Sequence, residues 1–239
     1  MASPWRAVLT ALGAMLLAIS SLGGSYAVAI VVAALGCAFA AGWPALVGVP
    51  AQRGSSIVIA ADALAAVLVV VISHSPAYLS LVLAFGVTAA FLQQMLRRDE
   101  RHRLVEGMSA TVTGIVVVTS GSGWILAFSD RVGDEAILIA LGALVLAAAI
   151  TALPSNTLIL AGVAGLTGAG FGVGLGALMP NMTLLTGFLA GLVSGGMMAL
   201  THVVLGGFPA VNRWRVAMAA ALLPVLVLGI PLHLIAAIG

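Results

Sequence analysis

The chain alternates between long apolar runs and short polar breaks. In order, the runs cover about Arg6–Leu22, Tyr26–Ala41, Ser56–Ile72, Tyr78–Met95, Met108–Phe128, Ala136–Leu153, Thr157–Leu178, Met182–Leu205 and Val216–Ile238. Each is close to the roughly 20 residues that an α-helix needs to cross the hydrocarbon core of a bilayer. None shows the ten-residue alternation of a membrane β-barrel strand. The pattern predicts an all-α fold: a polytopic transmembrane helical bundle of about nine spans, forming a single integral membrane domain over 1–239. Between the runs lie Gly42–Ser55 with Pro44 and Pro50, Ser73–Ala77, the charged piece 97–103, Ser129–Glu135, Pro154-Ser155-Asn156, Pro180-Asn181 and Phe208–Arg215.

Charge adds an orientation. Only 7% of the 239 residues are charged, against 62% hydrophobic, and the mean hydropathy is +1.25. A soluble domain carries about 25% charged residues, so the bilayer must solvate most of this surface. All nine basic residues are arginines, and eight fall in alternate gaps: Arg6, Arg53, Arg97, Arg98, Arg101, Arg103, Arg213 and Arg215. Arg131 alone falls in the other set, beside Asp130, Asp134 and Glu135. The positive-inside rule then predicts a cytoplasmic N-terminus and, with an odd span count, an external C-terminus. Arg6, the apolar core behind it and Ser25-Tyr26-Ala27 also fit a cleavable signal peptide, whose loss would remove one span and keep the remaining orientation. The absence of lysine fits a GC-rich bacterial coding bias and a bacterial plasma membrane. Cys37 is the single cysteine, which excludes an intramolecular disulfide and a cysteine-based metal cluster. No nucleic-acid signature is present, and no cofactor or metal is expected.

Candidate chemistry is sparse. Asp62 is the one carboxylate well inside a run, roughly 9 Å along the helix from Ser56 at 1.5 Å per residue. An acid at depth costs roughly 3 kcal/mol on insertion scales, so it must be neutral, paired or facing a polar cavity. It is a candidate proton, cation or headgroup site, or a structural hydrogen-bonding group. His202, toward the cytoplasmic end of the eighth run, is its expected partner, on a face shared with Gly187, Gly191 and Gly195. His74 and His233 fall on the external side with no carboxylate pattern to make a metal site. Gly168, Gly172 and Gly176 recur every four residues in the seventh run, which reads as a close-packing seam or as an unwound segment lining a substrate path. Glu106, Ser109, Thr113 and Ser120 share a narrow arc of the fifth helix, a possible wall for a headgroup cleft unless the hydroxyls bond back to their own helix. Arg97, Arg98, Arg101 and Arg103 are candidates for headgroup, nucleotide or partner contact, or a topology anchor moderated by Asp99 and Glu100.

Leu104-Val105-Glu106-Gly107-Met108-Ser109-Ala110-Thr111-Val112 leads from a cytoplasmic connection into a Ser/Thr-bearing helix. In this it resembles the bacterial CDP-diacylglycerol synthases, the integral membrane phosphatidate cytidylyltransferases. Met179-Pro180-Asn181-Met182-Thr183-Leu184-Leu185-Thr186-Gly187-Phe188-Leu189-Ala190-Gly191 occupies the place of that family's Ser-Pro-Lys-Lys-Thr-x-Glu-Gly segment. Together these cover about a tenth of the chain. The family's two lysines and glutamate are replaced by Asn181, Met182 and Leu185 or Thr186, its acidic metal-binding segment has no counterpart before Pro154, and its C-terminal His-Gly-Gly…Asp-Arg…Asp signature is missing. The resemblance therefore implies a related fold without the reaction, and no catalytic residue is carried over.

The expectation is a multi-pass protein of the bacterial plasma membrane, non-catalytic, that binds membrane lipids or a membrane or cytosolic partner, with a homo-oligomer left open. The alternative is a permease-like transporter of a small solute or lipid using Asp62. A membrane lipid-modifying enzyme ranks third, because the carboxylates are scattered and such chemistry needs them gathered around a metal.

Overall fold

The computed structural model describes residues 4–96, 103–130, 132–153, 155–205 and 213–238. All regular structure among them is helical: α1 (Pro4–Ser21), α2 (Ser25–Val47), α3 (Gln52–Ser73), α4 (Leu79–Met95), α5 (Leu104–Gly121), α6 (Gly123–Ser129), α7 (Gly133–Thr151), α8 (Thr157–Gly176), α9 (Leu184–Leu205), α10 (Trp214–Val227) and α11 (Gly229–Ile238). A short 3₁₀ turn, Pro76–Tyr78, leads into α4. Taking α5 with α6 and α10 with α11, eight spans among the described residues are long and apolar enough to cross a membrane, and Trp5–Ser21 is a shorter apolar helix. The protein is a multi-pass helical bundle of the kind a bilayer requires, with backbone polar groups satisfied inside helices.

The two ends of the bundle differ in charge, and contacts show it independently of hydropathy. At one end the Arg6 guanidinium donates to the Leu205 carbonyl (3.4 Å), Arg103 Nη1 donates to the Gly48 carbonyl (3.3 Å), and the Gly42 backbone lies against that of Arg215. At the other, Asn181 Nδ2 donates to Glu135 Oε1 (2.8 Å) and His233 Nδ1 meets Asp130 Oδ2 (2.8 Å). The α1 start, the α2–α3 and α4–α5 connections and the α9–α10 connection thus share an arginine end, and the loops after α6 and α8 share an acidic end. The sequence expectation that His233 lacks a nearby carboxylate is corrected by its contact with Asp130, 103 residues away in the chain.

Three spans depart most from the sequence expectation. α2 does not stop at Ala41 but runs through Pro44 to Val47. Gly42 makes this possible, since any Cβ there would overlap the Arg215 carbonyl. Phe39 stacks on Trp43 at 5.1 Å, and the Trp43 indole donates to the Ala110 carbonyl (2.8 Å), fixing the extra turn. The fifth and ninth spans, expected as continuous, are each broken: at Ser122, between α5 and α6, and at Leu228, between α10 and α11. The breaks face each other. Pro231 has no N–H for the Val227 carbonyl four residues earlier, and Ser120 Oγ donates to that carbonyl instead (2.8 Å). The Trp124 indole donates to the Val225 carbonyl (2.9 Å). A Cβ on Gly123 would strike the Gly229–Ile230 backbone, so the crossing needs a glycine there.

The glycine-rich seventh span shows no such break. α8 is continuous, and its most extensive contact is with α9. The two glycine series close on each other: a Cβ on Gly168 would sit 2.7 Å from the Gly191 carbonyl oxygen, and one on Gly195 2.6 Å from that of Ala164. Gly172 and Gly187 meet in the same way. This is small-residue packing of helix backbones, closed within one chain: of the two readings the sequence offered, the close-packing seam is the one observed, and α8 is not unwound.

Candidate functional site

α4 is the least buried spanning helix and packs mainly on α3 and α5. Between α3 and α4 the surface opens into a groove of about 890 Å³. Its α3 wall includes Ile57, Ala61, Asp62, Ala65, Val69 and Ile72, and its α4 wall includes Leu81, Phe85, Gly86 and Ala89. Ser73 and Tyr78 close the end nearer the acidic face of the bundle. Ile57, Ile72, Leu81 and Phe85 are all more than half exposed, so the groove opens sideways, where lipid chains would lie.

Asp62 is its single charged group. α3 begins at Gln52, four residues earlier than the sequence suggests, and ends at Ser73. Asp62 therefore stands at the middle of the helix, roughly 15 Å from either end at 1.5 Å per residue, and not near the arginine end. It is only 5% exposed. Thr119 Oγ1 on α5 donates to its Oδ2 at 2.8 Å. Oδ1 packs against Gly86, where any Cβ would collide with it, and accepts no hydrogen bond from a described residue. One half of the carboxylate is thus held and the other is left without a donor beside an apolar groove. A carboxylate oxygen left without a donor in apolar surroundings is costly.

The expected partnership with His202 does not form. His202 is 4% exposed and stands at the arginine end of α9, within electrostatic reach of Arg6. Arg6 is itself buried, and the neighbouring Thr10 Oγ1 donates to the Ala221 carbonyl (2.9 Å). This polar knot ties α1 to α9 and α10. Sequence reasoning paired the two intramembrane polar residues with each other because span order says nothing about which helices touch. The true partner, Thr119, carried a signal that was overlooked. Ser55 and Asp62 are seven apart on α3, Thr111 and Thr119 eight apart on α5, and Thr111 Oγ1 also bonds Ser55 Oγ (2.9 Å). Two polar pairs at matched spacing mark a common seam.

The fifth-helix stripe has a different fate. Glu106, Ser109 and Thr113 line a second cleft of about 400 Å³ at the arginine end, together with Trp43, Leu205 and Leu223. Ser109 Oγ donates to the Glu106 carbonyl (3.1 Å) and Thr113 Oγ1 to the Ser109 carbonyl (2.8 Å), so both hydroxyls are turned back on their helix. Glu106 is engaged by the Arg103 guanidinium in an exposed ion pair. Ser120 leaves the stripe to serve the helix crossing. Arg97, Arg98 and Arg101 lie outside the described residues. No group of three or more metal-ligating side chains occurs among the described residues. The chain matches no protein-family model, no curated protein and no solved structure.

Proposed function

We propose that this protein is a non-catalytic binding protein of the plasma membrane that holds one amphiphile, a lipid or lipid-like molecule, in the lateral groove between α3 and α4. The observation that supports this most is the groove itself: a cavity of about 890 Å³, apolar, open to the side, with one deeply placed carboxylate. Ligand pockets are concave, mostly apolar and carry few polar groups for orientation. The arginine end faces the cytoplasm by the positive-inside rule, which puts Ser73 and Tyr78 near the external leaflet and the second cleft near the internal one. A bacterial origin rests on the arginine-only basic composition.

Ala65→Phe tests the reading. Ala65 lines the groove and is only partly buried, so the larger side chain fills the cavity without entering the core. Wild-type protein released from membranes in native mass spectrometry should retain a discrete amphiphile that Ala65→Phe loses. Equal retention by both would reject the groove as the site. A permease would use the same acid, and solute uptake into proteoliposomes that is lost in Asp62→Asn would favour transport over binding.

A further inference from the structure

We infer that the α3–α4 groove takes a lipophilic amine: one cationic nitrogen on Asp62 Oδ1, with the apolar body lying along Ala61, Ala65, Leu81 and Phe85. The inference rests on the groove being a binding site, and adds which chemistry it selects. A neutral hydrocarbon chain would be served by an all-apolar groove, and a carboxylate at mid-span would only add cost. An anionic headgroup placed at this depth would meet Asp62 with no compensating cation. The charged residues of the three helices around it are Arg53 in the first turn of α3 and Glu106 in the first turn of α5, and α4 has none.

A cation inverts that balance. Oδ2 is already fixed by Thr119, and Oδ1 is the acceptor without a donor among the described residues. An ammonium N–H supplies a charge-assisted hydrogen bond to it, and a buried charge is tolerated when paired. Gly86 positions the carboxylate, because the space a Cβ would occupy holds Oδ1. From Asp62 to Ser73 the α3 wall runs roughly 16 Å at 1.5 Å per residue, enough for a medium-length alkyl chain.

Equilibrium binding of radiolabelled dodecylamine and 1-dodecanol to the full chain in phosphatidylcholine nanodiscs, corrected with empty discs, tests this. The amine should bind at least tenfold more tightly than the alcohol. Asp62→Asn should reduce that preference to near one. Gly86→Ala, which displaces Oδ1 and keeps the acid, should weaken the amine several-fold more than the alcohol, so the test survives if Asp62→Asn does not fold. Ala65→Phe should abolish both. Equal binding of amine and alcohol, each sensitive to Ala65→Phe, would overturn the amine assignment and leave the groove as a site for neutral chains. An amine preference that persists in both Asp62→Asn and Gly86→Ala would place the cation elsewhere and overturn it too. Protein-dependent binding of neither probe, with membrane lipid retained equally by wild type and Ala65→Phe, would remove the groove reading as well.

Discussion

α3–α4 and α8–α9 are both pairs of consecutive, antiparallel spanning helices, yet one pair closes and the other gapes. Along α8–α9, Gly168, Gly172 and Gly176 face Gly187, Gly191 and Gly195, and backbone touches backbone. Along α3–α4, Ala61 and Ala65 face a helix whose large side chains, Leu81 and Phe85, turn outward, and space remains. Glycine appears in both pairs for different ends. In the seam it removes Cβ atoms so that two helices meet. In α4 the single Gly86 makes room for a carboxylate oxygen. In lipid, where apolar surface gives no hydrophobic reward for helix association, contact depends on such close packing, and a pair without it can leave a cavity for something else.

Breaking the closed pair should have the largest effect. Gly172→Leu drives a side chain into the Gly187 carbonyl, and overpacking against rigid backbone should cost at least ~3 kcal/mol. It should appear as a large fall in Tm in detergent, while Gly170→Leu, on the open face of the same helix with no atom near its Cβ position, should change Tm little. Next, Thr119→Val removes the one donor to Asp62 among the described residues and should destabilise by about 1–3 kcal/mol. Asp62→Asn in the Thr119→Val background should recover part of this, because the stranded charge is gone. Ser120→Ala leaves the Val227 carbonyl without its side-chain donor and should cost about 1–3 kcal/mol in the same assay. Ala65→Phe in the open pair should leave stability within about 0.5 kcal/mol of wild type while filling the groove. If Ala65→Phe proved as damaging as Gly172→Leu, the contrast between a packed pair and an open one would be lost.

The bundle and its two charged ends were legible because hydropathy and arginine placement are local properties of the chain. The glycine seams were legible as four-residue repeats, though the choice between packing and unwinding needed the facing helix. What escaped were features set by remote neighbours. α2 outruns its predicted end because Trp43 finds Ala110, and α10 stops where Ser120 and Trp124 donate to the Val227 and Val225 carbonyls near Pro231. Periodicity gives little help in such helices, since lipid-facing and core-facing sides are both apolar. Asp62 was identified from rarity alone, whereas its partner and its groove required knowing that α4 and α5 flank α3.

The crossing of the two broken helices also constrains the order in which the chain is assembled. A newly inserted final segment carries a Val227 carbonyl that its own helix cannot satisfy, and in hydrocarbon an unsatisfied backbone group costs several kcal/mol. Its donor sits on α5, more than a hundred residues earlier. The last crossing is therefore stable in its observed form only once Ser120 and Trp124 are in place, so insertion of the α10–α11 span is completed by docking on helices made long before it, and a chain whose fifth span is misplaced should stall with this span exposed to quality-control proteolysis.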